Sequence, residues 1–308
     1  MPLFMPRRAA SRGAALLALT GAALSAQAAP PSGSDGKLLL TGGVSSIDGA
    51  AGGGLTPWAV TGSYATRGQV GGTVFVTGVK TNGYALTTEG MALAFDDRIE
   101  ASIARQTFDT GATGAALGLP GLRLTQDVIG LKARLAGDAV LDSDRWLPQV
   151  AIGVEIKRGD AGDLAPTLTS LGAKDNGTDV YLSATKLLLA PGVLINATLR
   201  WTKANQNGLL GFGGTQHTGA RLMPEISLAK LLRKDLAVGV EWRKKPDNLN
   251  PSVLGAALKE DDWADLFAAW APNKHFSLTA AYVDLGRIVP GFAPKRQTGG
   301  YLSAQLAF

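Results

Sequence analysis

The stretch that decides the fold is the last one, GGYLSAQLAF, Gly299–Phe308. Leu302, Ala304, Leu306 and Phe308 fall on one face of an extended chain, and Tyr301, Ser303, Gln305 and Ala307 on the other. A tail fraying in water gains nothing from an apolar stripe carried to its final residue. A closing strand, paired on both sides and facing lipid, does.

The same period of two recurs along the chain. In PGVLINATLRWTK, Val193, Ile195, Ala197, Leu199 and Trp201 oppose Leu194, Asn196, Thr198, Arg200 and Thr202. DLAVGVEWRKK sets Leu236, Val238, Val240 and Trp242 against Ala237, Gly239, Glu241 and Arg243. RWLPQVAIGVEIKR, HFSLTAAYVDLG and DRIEASIARQ alternate in the same way. The apolar faces mix alanine with branched residues and carry aromatics near strand ends, whereas a packed sandwich core wants large interlocking side chains. The other faces are small or polar with scattered charges. Lipid outside and a wet or side-chain-filled lumen inside account for both faces.

Connections agree. Candidate strands lie near 37–45, 57–66, 70–80, 84–95, 97–108, 123–136, 147–158, 178–188, 193–203, 219–230, 235–245, 262–271, 275–285 and 299–308. Short links (RGQ, LAPG, LLRK, PNK) largely alternate with long ones, as periplasmic turns alternate with outer loops in bacterial barrels. TNG at 81–83 and GDAVLDSDRW break the alternation. The expected fold is all-β: a transmembrane, antiparallel, up-and-down β-barrel of about fourteen strands. Those two links leave two alternatives: a count of twelve, or an N-terminal Gly-rich stretch that does not pair.

At the N-terminus, Arg7, Arg8 and Arg12 precede an apolar run from Ala14 to Ala26 and the small-x-small triplet Ala26-Gln27-Ala28. This reads as a secretory signal peptide over 1–28, leaving 29–308 as the barrel domain. The whole chain carries 30 Lys+Arg and 25 Asp+Glu, net +5; without the leader the balance is 27 to 25. That removes the electrostatic footprint of a nucleic-acid binder. No cysteine is present, which excludes disulfides, thiolate metal sites and a cysteine nucleophile.

Signals for chemistry are sparse. By this topology His217 falls in an outer loop and His275 in a periplasmic turn, so they share no metal or catalytic site. No nucleophile motif accompanies His217, and no cofactor, catalytic or metal site is expected. IDGAAGGGL and GLLGFGG lack the helix and lysine of a phosphate cradle and read as outer loops. Their Leu55, Leu209, Leu210 and Phe212 offer either an inward fold or an apolar ligand contact. The acids of KEDDWADL (Glu260, Asp261, Asp262, Asp265) lack calcium-loop spacing and read as an acidic rim. Expected lumen-lining residues are Arg98, Glu100, Lys132, Arg134, Glu155, Lys157, Arg200, Glu225, Glu241, Arg243 and Asp265. Their mixed signs fit a weakly selective pore or a lumen closed by internal pairs, Glu241 with Lys157 for example.

The stretches GGVSSIDGAAGGGLTPWAV, RIEASIARQTFDT, LRLTQDVIGLKARLAGDAVLDSDRWLPQVAIGVE, TKANQNGLLGFGG, DLAVGVEWRKKPDNL and DDWADLFAAWAPNKHFSLTAAYVDLG resemble domain-of-unknown-function family 3034 of proteobacterial outer-membrane proteins. The resemblance implies an outer-membrane barrel and no established activity. Tyr301, Leu306 and Phe308 are similar to the assembly signal on closing strands of outer-membrane proteins, which implies the assembly machinery and lipid as partners. The expected function is a porin-like passive channel for small solutes, not an enzyme. The alternatives are uptake of a hydrophobic compound, a structural or adhesive barrel with a closed lumen, and an outer-membrane hydrolase. Hydrophobic uptake would need a lateral opening or an N-terminal plug, and residues 29–36 are too few for a plug. A homo-oligomer fits this class, although no segment marks an interface.

Overall fold

The computed structural model describes residues 36–140, 146–250 and 252–308. The expected signal peptide lies outside the described residues. Twelve antiparallel strands close into one barrel. They are β3 (Val70–Thr81), β4 (Ala85–Phe95), β5 (Ile99–Asp109), β6 (Arg123–Ala136), β7 (Gln149–Asp160) and β8 (Asn176–Leu188). The circuit continues with β9 (Val193–Thr202), β10 (Arg221–Arg233), β11 (Leu236–Arg243), β12 (Trp263–Trp270), β13 (Phe276–Asp284) and β14 (Thr298–Ala307). Strand β14 pairs with β3, with Leu302 opposite Gly78 and Leu306 opposite Val74, so no sheet edge remains.

Alternation along each strand sorts the two faces. Ile129, Leu131, Ile156, Ile195, Leu199, Leu228, Leu302 and Leu306 are exposed on the outside, where lipid covers them. Trp201 and Tyr282 stand near the long-loop ends of their strands, and Phe95, Trp270 and Phe308 near the short-turn ends. These are the two aromatic girdles of a membrane barrel. Among the described residues no helix is long and apolar enough to cross a membrane; this chain crosses with strands. The helices present are short: α1 (Gly111–Ala116) and α2 (Ala165–Ser170), both in long loops.

The fourteen-strand expectation is corrected to twelve. The stretches 37–45 and 57–66 are not wall strands. Residues 37–66 run through the barrel interior, carrying only a two-residue hairpin of β1 (Val44–Ser45) and β2 (Ala51–Gly52). Nearly every residue from Leu40 to Ser63 is buried, on both faces. A wall strand cannot be: one of its faces meets lipid. The expectation that too little chain was available for a plug is overturned with it, because this segment is the plug.

Candidate functional site

The plug is placed by hydrogen bonds to strands all round the barrel. Ser45 meets Gln305 on β14 (2.7 Å), and Gln106 on β5 donates to the Ile47 carbonyl (2.8 Å). The Ala59 amide donates to Thr185 on β8 (2.8 Å). The Pro57 carbonyl accepts from Thr198 on β9 (2.9 Å), and Trp58 Nε1 donates to Ser227 on β10 (3.0 Å). Only a chain inside the lumen reaches all of these walls.

Two wall glutamates grip the plug backbone. Glu100 accepts from the amides of Ala51 (3.0 Å) and Gly62 (2.6 Å). Its ion-pair partner Lys132 (3.0 Å) donates to the carbonyls of Ala51 and Val60 (both 2.8 Å). Glu241 accepts from the Leu55 amide (2.8 Å), Thr56 Oγ1 (2.5 Å) and Ser227 Oγ (2.8 Å). Gly53 passes so close that a Cβ there would collide with the Glu241 carboxylate. The glycines of GAAGGG therefore let the chain lie against a charged wall.

Above these grips sits a buried ion cluster. Lys157 pairs with Asp179 (3.1 Å), Glu155 (3.2 Å) and Asp48 of the plug (3.3 Å). Arg200 bridges Glu155 (2.6 Å) and Glu225 (2.5 Å), and Arg243 bridges Asp48 (3.1 Å) and Glu225 (3.3 Å). Arg200 lies over the Tyr181 ring and Arg243 over the Trp263 ring. Desolvating these charges is costly, and the mutual pairing offsets it.

The outer end is covered by loops. The β9–β10 loop turns inward at Asn205–Gly208, with Gln206 (φ 44°) and Asn207 (φ 62°) in left-handed conformations. Asn207 reaches the ion cluster, accepting from Lys157 (2.8 Å) and Arg243 (2.7 Å) and donating to Asp48 (2.7 Å). Ile47 and Leu55 of the plug join an apolar cluster that includes Leu209, Leu210, Leu249, Leu258 and Ile288. In the β11–β12 loop, hydrogen bonds from Arg287 hold the Asp261 carboxyl down at about 2. Towards the short-turn end, Lys37 and Arg134 both pair with Asp97, and Arg134 also with Asp138 (2.9 Å). A small apolar cavity of about 30 Å³ separates plug from wall there, lined by Leu40, Val44, Trp58, Leu187, Leu194 and Phe267 among others.

The residues expected in the lumen are thus distributed as follows. Glu155, Lys157, Arg200, Glu225 and Arg243 join one cluster, and Glu100 pairs with Lys132. Glu241 and Asp265 lie opposite each other on β11 and β12. Arg134 sits half-buried at the rim. Arg98 is corrected: it lies in the exposed β4–β5 turn, where the strand alternation no longer fixes a face. The suggested Glu241–Lys157 pair does not form, since Lys157 is taken by Asp48, Glu155 and Asp179. Asp261 and Asp262 lie in the β11–β12 loop, Glu260 pairs with Lys245 (2.9 Å), and Asp265 turns into the barrel, so KEDDWADL is not one acidic rim. Sequence reasoning missed Asp48 and Asp179. Asp179 was readable from its alternation with Tyr181, Ser183 and Thr185; Asp48 carried no signal while its segment read as a loop. On β14, Tyr301 faces inward, and Leu306 and Phe308 face lipid. His217 lies in the β9–β10 loop, and His275 meets the Ala307 carbonyl (3.2 Å) in the turn before β13, at the other end of the barrel.

The family described as "Protein of unknown function (DUF3034)" matches residues 41–305. The chain belongs to this DUF3034 family. The match includes the plug as well as the wall, so the lumen-filling segment is part of the family sequence. No curated protein matches the chain. Among solved structures, this DUF3034 barrel is similar to the NanC porin at 10% identity and a TM-score of 0.50, covering 76% of this chain and 98% of that one. The KdgM porin follows at 9% identity and 0.48, covering 77% and 99%. Outer membrane phospholipase A from Escherichia coli gives 10% and 0.41, covering 76% and 92%. The NanC likeness is one of fold: a porin-like barrel of the bacterial outer membrane.

Proposed function

We propose that this protein is a porin-like solute channel held shut at rest by its own N-terminal segment. The observation that carries this reading is the polar seam between plug and wall. Inward-facing Thr77, Gln106, Gln126, Ser183, Thr185, Asn196, Thr198 and Ser303 make the wall hydrophilic. A lumen filled for stability alone is better served by apolar packing, because buried polar groups gain little over water. A hydrophilic wall is suited to water once the plug leaves. Fixed in place, the plug supports instead a structural barrel.

The absence of native cysteine makes a clean test. Thr56 Oγ1 and Ser227 Oγ touch at 2.5 Å, so Thr56→Cys with Ser227→Cys can tie plug to wall. Glu100→Ala with Lys132→Ala removes one grip without leaving a lone charge. In planar bilayers the grip variant should conduct more often than the parent, and the oxidised tie should silence it until reductant is added. Folded protein that stays silent in every state would overturn the channel reading.

A second reading has its own observation. Uptake of a hydrophobic compound needs a lateral opening or a plug, and a plug exists, with apolar Ile47 and Leu55 against the outer loops and an apolar cavity at its other end. Saturable partitioning of a fluorescent fatty acid into reconstituted vesicles, blocked by the oxidised tie, would favour it over passage of polar solutes.

A further inference from the structure

Eight acids are buried at Asp48, Glu100, Glu155, Asp179, Glu225, Glu241, Glu260 and Asp265. Six of them have a cationic side chain within ion-pair distance. Among the described residues the two that do not are Glu241 and Asp265. These two are direct cross-strand partners, both facing the lumen. Directly opposite residues place their Cβ atoms about 5 Å apart. Glu241 is at least hydrogen-bonded to the plug. Asp265 is buried, at 7% exposure, and neither of its carboxylate oxygens has a side-chain hydrogen-bond partner. Nearby, Gly53 lies against the Glu241 carboxylate and Gly54 against the Tyr301 ring and hydroxyl, so plug backbone covers the Glu241 side of the pair.

Each lysine and arginine of the buried network is committed to another acid, so none is spare to neutralise this pair. Two like charges in one dry site repel and lack solvation. We infer that Glu241 and Asp265 form a binding site for a hard divalent cation of the calcium class, seated between β11, β12 and the plug. The donors are all oxygen, which suits calcium or magnesium and not a soft metal. A divalent ion cancels both charges at once. Because Glu241 also grips Leu55 and Thr56, the ion would join wall to plug.

The test uses the full-length refolded protein, stripped with chelator and titrated with calcium chloride alone. Calorimetry should show one ion per barrel, with half-saturation near the range of about 0.1–1 mM typical of extracellular modules. The heat-modifiable gel shift should move to higher temperature with added calcium. Asp265→Asn keeps shape and should lose both effects while still folding. Glu89→Gln, on the outer surface, should keep them. Should Asp265→Asn prevent folding, terbium luminescence excited through tyrosine and tryptophan in the parent, and its displacement by calcium, gives the answer. No saturable binding to the folded parent overturns the site and leaves a proton shared by the two carboxyls. Equal binding by Asp265→Asn overturns it too.

Discussion

The two ends of the plug, 37–45 and 57–66, and the closing strand β14 all read as strands by a period of two, yet plug and strand occupy opposite environments. Strand β14 alternates: Tyr301, Ser303 and Gln305 face in, and Leu302 and Leu306 face lipid. The plug is buried on both faces and satisfies its backbone through wall side chains such as Glu100, Glu241 and Thr185. The difference lies in bulk. A lipid-facing stripe carries bulky apolar residues at most of its alternate positions, as Leu302, Leu306 and Phe308 do. The plug between Gly49 and Gly54 offers only glycine and alanine. Periodicity reports an extended chain, and side-chain volume tells wall from filling.

The largest blow to this contrast should come from Arg200→Ala. It removes the cation that bridges Glu155 and Glu225, leaving them only their longer pairs with Lys157 and Arg243, and should cost about 3–5 kcal/mol, read as a lower unfolding midpoint in urea. A matched pair of glycine changes sharpens the comparison directly. Gly53→Val drives a side chain into Glu241 and should cost about 1–3 kcal/mol. Gly300→Val on β14 points outward with nothing within 4 Å and should fall within about 0.5 kcal/mol of neutral. Equal effects at the two sites would mean the plug is not packed as described. Thr56→Val removes hydroxyl contacts to Ser227 and Glu241 and should cost about 1 kcal/mol, with faster proteolysis in the plug.

The smallest effect concerns the outer loops. Arg287 donates to Asp261 at 2.7 and 2.8 Å. Those bonds depress the Asp261 carboxyl from its ordinary 3.8 to about 2. A depressed carboxyl stabilises the folded state fully above 3.8 and loses that contribution as pH falls towards 2. Amide exchange around Gly286 and Arg287, once corrected for intrinsic rate, should therefore be unchanged between pH 7 and pH 5 and faster near pH 2. Acceleration already at pH 5 would show that the Asp261–Arg287 bonds are not what protects these amides.

The twelve wall strands were legible because lipid favours apolar residues on alternate positions, a pattern broken only locally, as at Glu89, Arg105 and Asp127. Their observed bounds fall within a few residues of expectation: 123–136 became Arg123–Ala136, and 193–203 became Val193–Thr202. Most lumen charges were legible by the same alternation. Arg98 was not, because it sits where a strand has become a turn. The plug was not, because Leu40 and Gly43 adopt left-handed conformations that break the strand where the pattern alone continues it.

The sequence by itself therefore determined a lipid-facing barrel, its closure through β14, and the polar character of its interior. Only the tertiary structure decided what fills that interior and which charges meet. Those outcomes depend on bringing Asp48, Asn207 and Arg243 together from distant parts of the chain. Alternation is local and is written residue by residue. The pairing of buried charges is set by three-dimensional proximity, which no single stretch encodes.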